Sequence, residues 1–115
     1  MGDFFDNWTV QVRKGLMEMC VLNALAERER YGYELVKTLV ETPGLGITEG
    51  TLYPLLSRLR LQGLVNTRLE ESPEGPARKY YALTEEGCAL RGQMLEYLDA
   101  LNRGAGILRR RGGNP

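Results

Sequence analysis

The sequence predicts a small α+β domain, mainly helical, and three observations carry that reading. Three stretches before residue 62 repeat apolar residues at helical spacing, residues 65 to 83 switch to a period of two around a loop bearing glycine and proline, and a long helical pattern follows Thr84. A chain of 115 residues with 43% hydrophobic and 26% charged residues holds one small core and is too short for two.

The first helical pattern runs from about Thr9 to Ala26. Between Leu16 and Ala26, in LMEMCVLNALA, apolar residues occupy more than one stripe, so the helix is expected to be covered on two sides. In so small a protein a second chain is the expected second cover; one broad face under a monomeric core is the alternative. The polar break ERER at 27 to 30 leads into YGYELVKTLV, where Leu35, Val36, Leu39 and Val40 mark the buried side of a short second helix. Glu41-Thr42-Pro43-Gly44 stops it, because proline and glycine punctuate helices strongly.

The stretch TEGTLYPLLSRLRLQGLV, 48 to 65, is a helix with a proline inside it. If Thr51 is the N-cap, Pro54 falls in the first turn, where its missing N–H costs little; if Thr48 is the cap, Pro54 falls in the second turn. Leu52, Leu55, Leu56 and Leu59 follow the i, i+3, i+4, i+7 rule and define the buried side. The opposite side holds the compact residues Gly50, Pro54 and Ser57, flanked by Tyr53 and Arg58, where a solvated face would usually be rich in Glu and Lys.

After Gln62-Gly63, Val65, Thr67 and Leu69 alternate with polar residues as a half-buried strand, and RKYYAL at 78 to 83 follows the loop SPEGPA as its partner. Thr84 caps the last helix, with Glu85 and Glu86 at the positive end of its dipole. Leu90, Met94, Tyr97, Leu98 and Leu101 form a seam near coiled-coil spacing. The closing RGAGILRRRGGNP is basic and glycine-rich, which predicts a mobile tail.

In this order the elements make a winged helix-turn-helix with a two-stranded wing, flanked by an N-terminal and a long C-terminal helix. The expected division is 1–83 for the DNA-binding domain with its N-terminal helix, 84–103 for the dimerisation helix and 104–115 for the tail. Thr48, Thr51 and Tyr53 offer hydroxyls near a helix N-terminus whose free N–H groups and dipole suit a phosphate oxygen. Arg58 can reach a phosphate or a guanine edge, or else pair with an acidic side chain. Arg78 and Lys79 are placed to meet phosphates from the wing, or to serve as an ordinary charged strand edge.

Charge and composition restrict the function further. The 15 basic and 15 acidic residues cancel, so a nucleic-acid partner must rest on local arrangement. The sequence lacks histidine, no Ser or Cys has a partnered base in sight, and the glycine-bearing GLGITEG at 44 to 50 follows a helix instead of a strand. No enzyme, catalytic residue, metal or cofactor is therefore expected. Cys20 and Cys88 sit in apolar helical patterns, which predicts buried thiols. No apolar run is long enough to cross a bilayer and the start, MGDFFDNWTV, is acidic, so the expected location is cytoplasmic, away from membranes.

Four blocks, YGYEL at 31 to 35, TEGTLYPLLSRL at 48 to 59, GLV at 63 to 65 and GPARKYYALTEEG at 75 to 87, resemble the PadR family of bacterial transcriptional regulators in order and spacing. The single C-terminal helix is similar to that family's short subclass. The resemblance implies a homodimeric repressor that binds a palindromic double-stranded operator and is dimerised through its N- and C-terminal helices. By the same resemblance Tyr31, Tyr33, residues 48 to 53, Arg78 and Lys79 match positions used at the DNA surface. Pro54, Ser57 and Arg58 complete the DNA-binding set, and Leu16, Met17, Cys20, Leu90, Met94, Tyr97, Leu98 and Leu101 the dimer interface.

Phe4, Phe5, Trp8, Met17, Met94 and Tyr97 are candidates to line an apolar pocket for a small aromatic effector, since relatives sense phenolic acids or hydrophobic drugs; a plain interface core is the alternative. Arg60 departs from the family, whose members often carry an acidic residue there. A winged-helix module used only for protein contacts is the competing reading of the whole chain. It would need no cluster of hydroxyl and guanidinium groups on the third helix.

Overall fold

The structure, a computed structural model, describes residues 2–113. These form α1 (Gly2–Glu27), β1 (Arg30–Tyr31), α2 (Gly32–Glu41), α3 (Glu49–Leu61), β2 (Val65–Ser72), β3 (Gly75–Leu83) and α4 (Glu85–Arg111). The strands make one antiparallel sheet in the order β1-β3-β2, with β2 and β3 as the wing. The core gathers where α1, α2 and α3 meet the root of the sheet: Val21, Leu22 and Leu25 pack with Leu35, Val36 and Leu39, with Ile47, with Leu52, Leu55, Leu56 and Leu59, and with Val65. The helical spacing predicted these faces. Val40 alone of the predicted α2 face is exposed.

Thr48 is the N-cap of α3, which puts Pro54 in the second turn. The helix tolerates it because Pro54 lies on the exposed side, where water can satisfy the carbonyl that loses its donor. At the other end Gly63 has φ +77°, and the N–H groups of Gly63 and Leu64 donate to the carbonyls of Arg60 and Leu59. This glycine-dependent helix stop turns the chain directly into β2.

Thr84 then ties three segments together. Its hydroxyl donates to the Gly63 carbonyl (2.7 Å) and accepts from the Gly87 N–H (3.0 Å), while its own N–H donates to the Leu64 carbonyl (3.2 Å). α4 is thereby seated on the turn between α3 and β2. Arg91 adds a bond to Asn23 on α1 (2.6 Å).

Several expectations need correcting. α1 begins at Gly2, well before Thr9, since nothing from Asp3 onward breaks a helix and Asp3 suits its N-terminal dipole. β1 escaped the sequence reading because two residues carry no period. The wing is longer than expected: Ser72 pairs with Gly75, so only Pro73 and Glu74 form its tip, with an irregularity at Glu71. Leu69 keeps the predicted alternation yet is 69% exposed, because the upper wing rises beyond the core.

α4 passes the expected end at residue 103 and continues to Arg111. Gly104 and Gly106 cost it about 1 kcal/mol each, while Ile107, Leu108 and the arginines of the last turn favour the helix and its negative end. Residues 114 and 115 of the expected tail, and Met1, lie outside the described residues. Cys88 is exposed rather than buried, since α4 buries only Gly87 in its first turn. Cys20 is half-buried, and that burial pushes its thiol pKa up.

The outer parts of α1 and α4 leave the core. The radius of gyration is 17.0 Å and the extents are 60 × 32 × 21 Å. A compact chain of this length would have a radius near about 13 Å. Phe4, Phe5 and Trp8 on α1 and Tyr97, Leu101, Ile107 and Leu108 on α4 are exposed apolar side chains on these projections.

Candidate nucleic-acid interface

The outward side of α3 is bare. Gly50, Thr51, Tyr53, Pro54, Ser57 and Arg58 are all exposed, while Leu52, Leu55, Leu56 and Leu59 hold the other side in the core. Thr48 and Glu49 are exposed at the tip, and the Thr48 side chain caps none of the first-turn N–H groups. The Thr51 hydroxyl donates to the Thr48 carbonyl (2.8 Å). Uncapped by a side chain, the first turn presents backbone N–H groups and the positive end of the helix, which suit an anionic oxygen, while the Thr51 hydroxyl proton is already committed to Thr48.

On one flank of α3 an open groove of ≈ 730 Å³ separates it from the wing. Tyr31, Tyr33, Tyr53, Ser57, Arg78 and Lys79 line it together with Tyr81 and the wing tip. Aromatic packing holds one of its two cations, Arg78, in place. The Arg78 guanidinium lies over the Tyr31 ring (4.6 Å), Tyr31 stacks on Tyr33 (6.3 Å between centroids) and Tyr80 packs tilted against Tyr31 (5.9 Å). Behind them Arg68 covers Tyr80 (4.7 Å) and is fixed by both carboxylate oxygens of Glu29, one at 3.0 Å.

The hydrogen bond from Arg68 holds the Glu29 carboxyl below the usual carboxylate range, and that from Arg28 does the same for Glu34. A lowered carboxylate pKa means these pairs are complete at neutral pH and are lost only as pH falls through the lowered values. Burial, then the nearby Tyr53, pushes the Tyr81 phenol up, so it lines the groove as a neutral hydroxyl.

The other flank of α3 faces α1 across a hollow of ≈ 350 Å³ lined by Lys14, Met17, Glu18, Thr51, Pro54, Leu55 and Arg58. Here Arg58 Nη2 donates to Glu18 Oε1 at 2.9 Å, so the acidic pairing foreseen as one alternative for Arg58 is the one seen.

The candidate dimer residues divide. Met17, Cys20, Leu90 and Met94 pack against the chain's own core, Leu16 and Leu98 are half-buried, and Tyr97 and Leu101 are exposed. The six effector candidates are not gathered around one cavity by a single chain. Phe5 and Trp8 stack on each other (6.1 Å) in the open. Met17 lies about 14 Å further along α1 at 1.5 Å rise per residue. It lines a hollow of ≈ 150 Å³ with Val12, Leu16, Cys20 and Leu45.

The sequence reading missed Arg30, which is 6% exposed and donates to the Ala24 carbonyl (3.0 Å) and to Glu27 (3.2 Å). It also missed Lys14, Glu18, Arg68 and Tyr80 as neighbours of the interface. Only the charge-rich ERER hinted at Arg30. Among the described residues no group of three or more His, Cys, Asp or Glu could hold a metal, and no helix is long and apolar enough to cross a membrane.

Residues 21–93, the span from the core of α1 through the wing into α4, match the transcriptional regulator PadR-like family. The chain belongs to the PadR-like family of transcriptional regulators. Solved PadR structures share its fold. A PadR family transcriptional regulator from Eggerthella lenta is 36% identical with a TM-score of 0.80, and 93% of each chain is covered.

A PadR-like transcriptional regulator from Bacillus cereus is 33% identical with a TM-score of 0.75, over 85% of this chain and 95% of that one. PadR of Bacillus subtilis in complex with operator DNA is 23% identical with a TM-score of 0.61, over 70% of this chain and 46% of that one, and shows the shared fold. Four helices with a small three-stranded antiparallel sheet are thus a PadR winged helix, as expected. Members of the family are transcriptional regulators and not enzymes.

Proposed function

We propose that this PadR-like regulator is a cytoplasmic homodimeric repressor that binds a pseudo-palindromic operator, with α3 entering the major groove and the wing lying along the backbone. The observation that carries this is the groove between α3 and the wing, where a bare helix face meets Arg78 and Lys79. Tyr31, Tyr33, Thr48, Glu49, Gly50, Thr51, Tyr53, Pro54, Ser57 and Arg58 are the other proposed contacts. That the related PadR of Bacillus subtilis was solved on operator DNA supports it.

Zero net charge is compatible with DNA, since Glu85, Glu86, Glu96 and Asp99 lie on α4 while the groove carries Arg78 and Lys79 against Glu74. Residues up to 83 would then be the DNA-binding part and α4 the dimerisation helix. The exposed apolar side chains of α1 and α4 favour a second copy as their cover. Two α3 tips in successive major grooves require half-sites about 34 Å apart.

Selection of bound sequences from a random DNA pool, followed by binding to the selected duplex, tests the function. The double variant R78A/K79A is expected to weaken binding at least about tenfold and to flatten the dependence of log K on log salt by about 0.9 for each lost phosphate contact. Its dimer should persist. A pool without enriched sequences, or affinity indifferent to salt and to both substitutions, would favour the protein-interaction module instead.

The same dimer is proposed to take a small aromatic effector beside Phe4, Phe5, Trp8, Met17, Met94 and Tyr97, a pocket completed by two chains. Trp8 is the single tryptophan, so its emission should shift when a phenolic or drug-like aromatic binds, with DNA release at the same concentration. Emission unchanged across a panel of such compounds would leave these residues as interface core.

A further inference from the structure

The ion pair between Glu18 and Arg58 joins two helices that the proposed function gives different work, α1 in the dimer and α3 on DNA. We propose that Glu18 is a latch on Arg58: it holds the guanidinium on α1 until an oxygen of the nucleic acid displaces the carboxylate. This rests on the DNA-binding reading above and adds an acidic positioning residue from outside the winged-helix motif.

The geometry supports an exchange. Arg58 Nη2 lies 2.9 Å from Glu18 Oε1, and the two side chains are 59% and 33% exposed, so the bond is accessible to a competing anion. Exposed ion pairs of this kind are weak, which makes the exchange readily reversible. The carboxylate sits in the hollow that Thr51 and Pro54 share with Arg58, beside the first turns of α3. A phosphate brought there meets like charge as long as Glu18 stays, and charge-assisted bonds to the incoming oxygen compensate for the pair that breaks. Lys14, four residues before Glu18 on α1, faces the same hollow and gives the released carboxylate a cation to turn to.

The test needs no knowledge of the operator. Binding of a random-sequence duplex of about 30 base pairs, long enough for two half-sites, is measured against salt for the full chain, E18Q, R58M and the double variant. E18Q is expected to bind about threefold more tightly per protomer, with a salt slope steeper by about 0.9 for each freed guanidinium. In the R58M background the same change should alter affinity by less than about 1.5-fold, because the latch has nothing left to hold.

Equal gains in both backgrounds would reduce Glu18 to general repulsion and overturn the latch, as would weaker binding by E18Q. Without DNA, rotation of the Arg58 guanidinium, read by NMR, should be faster in E18Q than in the unsubstituted chain; identical rotation overturns the latch by itself. Failure of the unsubstituted chain to bind any duplex, with rotation differing as expected, would instead remove the DNA-binding reading on which the latch depends.

Discussion

Gly87→Ala is expected to destabilise the fold by about 3 kcal/mol or to prevent it from forming, a cost at the upper end for overpacking because the clash is with backbone. A Cβ built on Gly87 lies 2.1 Å from the Leu64 carbonyl oxygen and 3.2 Å from a Leu83 methyl. The oxygen cannot move aside freely, since it accepts the Thr84 N–H at 3.2 Å and follows the helix stop at Gly63. Relief would have to come from lifting α4 off the turn, which breaks the Thr84 hydroxyl bond to Gly63 and the Thr84 N–H bond to Leu64.

Thermal and urea unfolding would read the effect, with a fall of roughly 10–20 °C in melting temperature for a domain of this size. Gly92→Ala on the same helix is the control. Nothing lies within 4 Å of its Cβ, so alanine there should be neutral or stabilising by up to about 1 kcal/mol. Equal stability of the Gly87 variant and the control would refute the close approach of α4 to the turn.

The second large effect is expected at Arg30, where leucine should cost about 2–3 kcal/mol. α1 ends without a basic residue in its last turn, and Arg30, just beyond, donates Nε to the Ala24 carbonyl from a position 6% exposed. It thus satisfies a helix-terminal acceptor and complements the negative end of the dipole. Leucine matches neither function and leaves a buried carbonyl without its donor.

The bond to Glu27 adds little, because that carboxylate is largely exposed. The desolvation of the guanidinium offsets part of the gain, which is why the expected loss stops short of that for breaking a fully buried pair. Lysine should not rescue it, as it lacks the forked donors that reach carbonyl and carboxylate together. The urea midpoint, with an unchanged slope, measures the loss. A midpoint equal to or above that of the unsubstituted chain would mean the buried arginine contributes no net stability.

What the sequence alone determined is what local chemistry controls. The leucines of α3 and the Leu35, Val36 and Leu39 face of α2 were legible because a helix repeats every 3.6 residues, and the Val65, Thr67, Leu69 alternation because a strand repeats every two. The Thr84 cap was legible because a hydroxyl serves the N–H three residues on. Even the bare side of α3 could be seen in advance, since Gly50, Pro54 and Ser57 fall opposite the leucines whatever the rest of the chain does.

What only the tertiary structure decided are relations with no local signature. Glu18 meets Arg58 across 40 residues, Arg68 meets Glu29 across 39, and Arg91 meets Asn23 across 68. Such partners are chosen by the angles at which helices and sheet pack, and many acidic side chains would satisfy the same arginine equally well. Gly87 looked like any helical glycine until its approach to Leu64 set its cost, and β1 exists only because β3 passes beside it. Periodicity decides which side of an element is buried; which residue lies against it, and hence which cation is held and which is left for a ligand, is settled only when the elements meet.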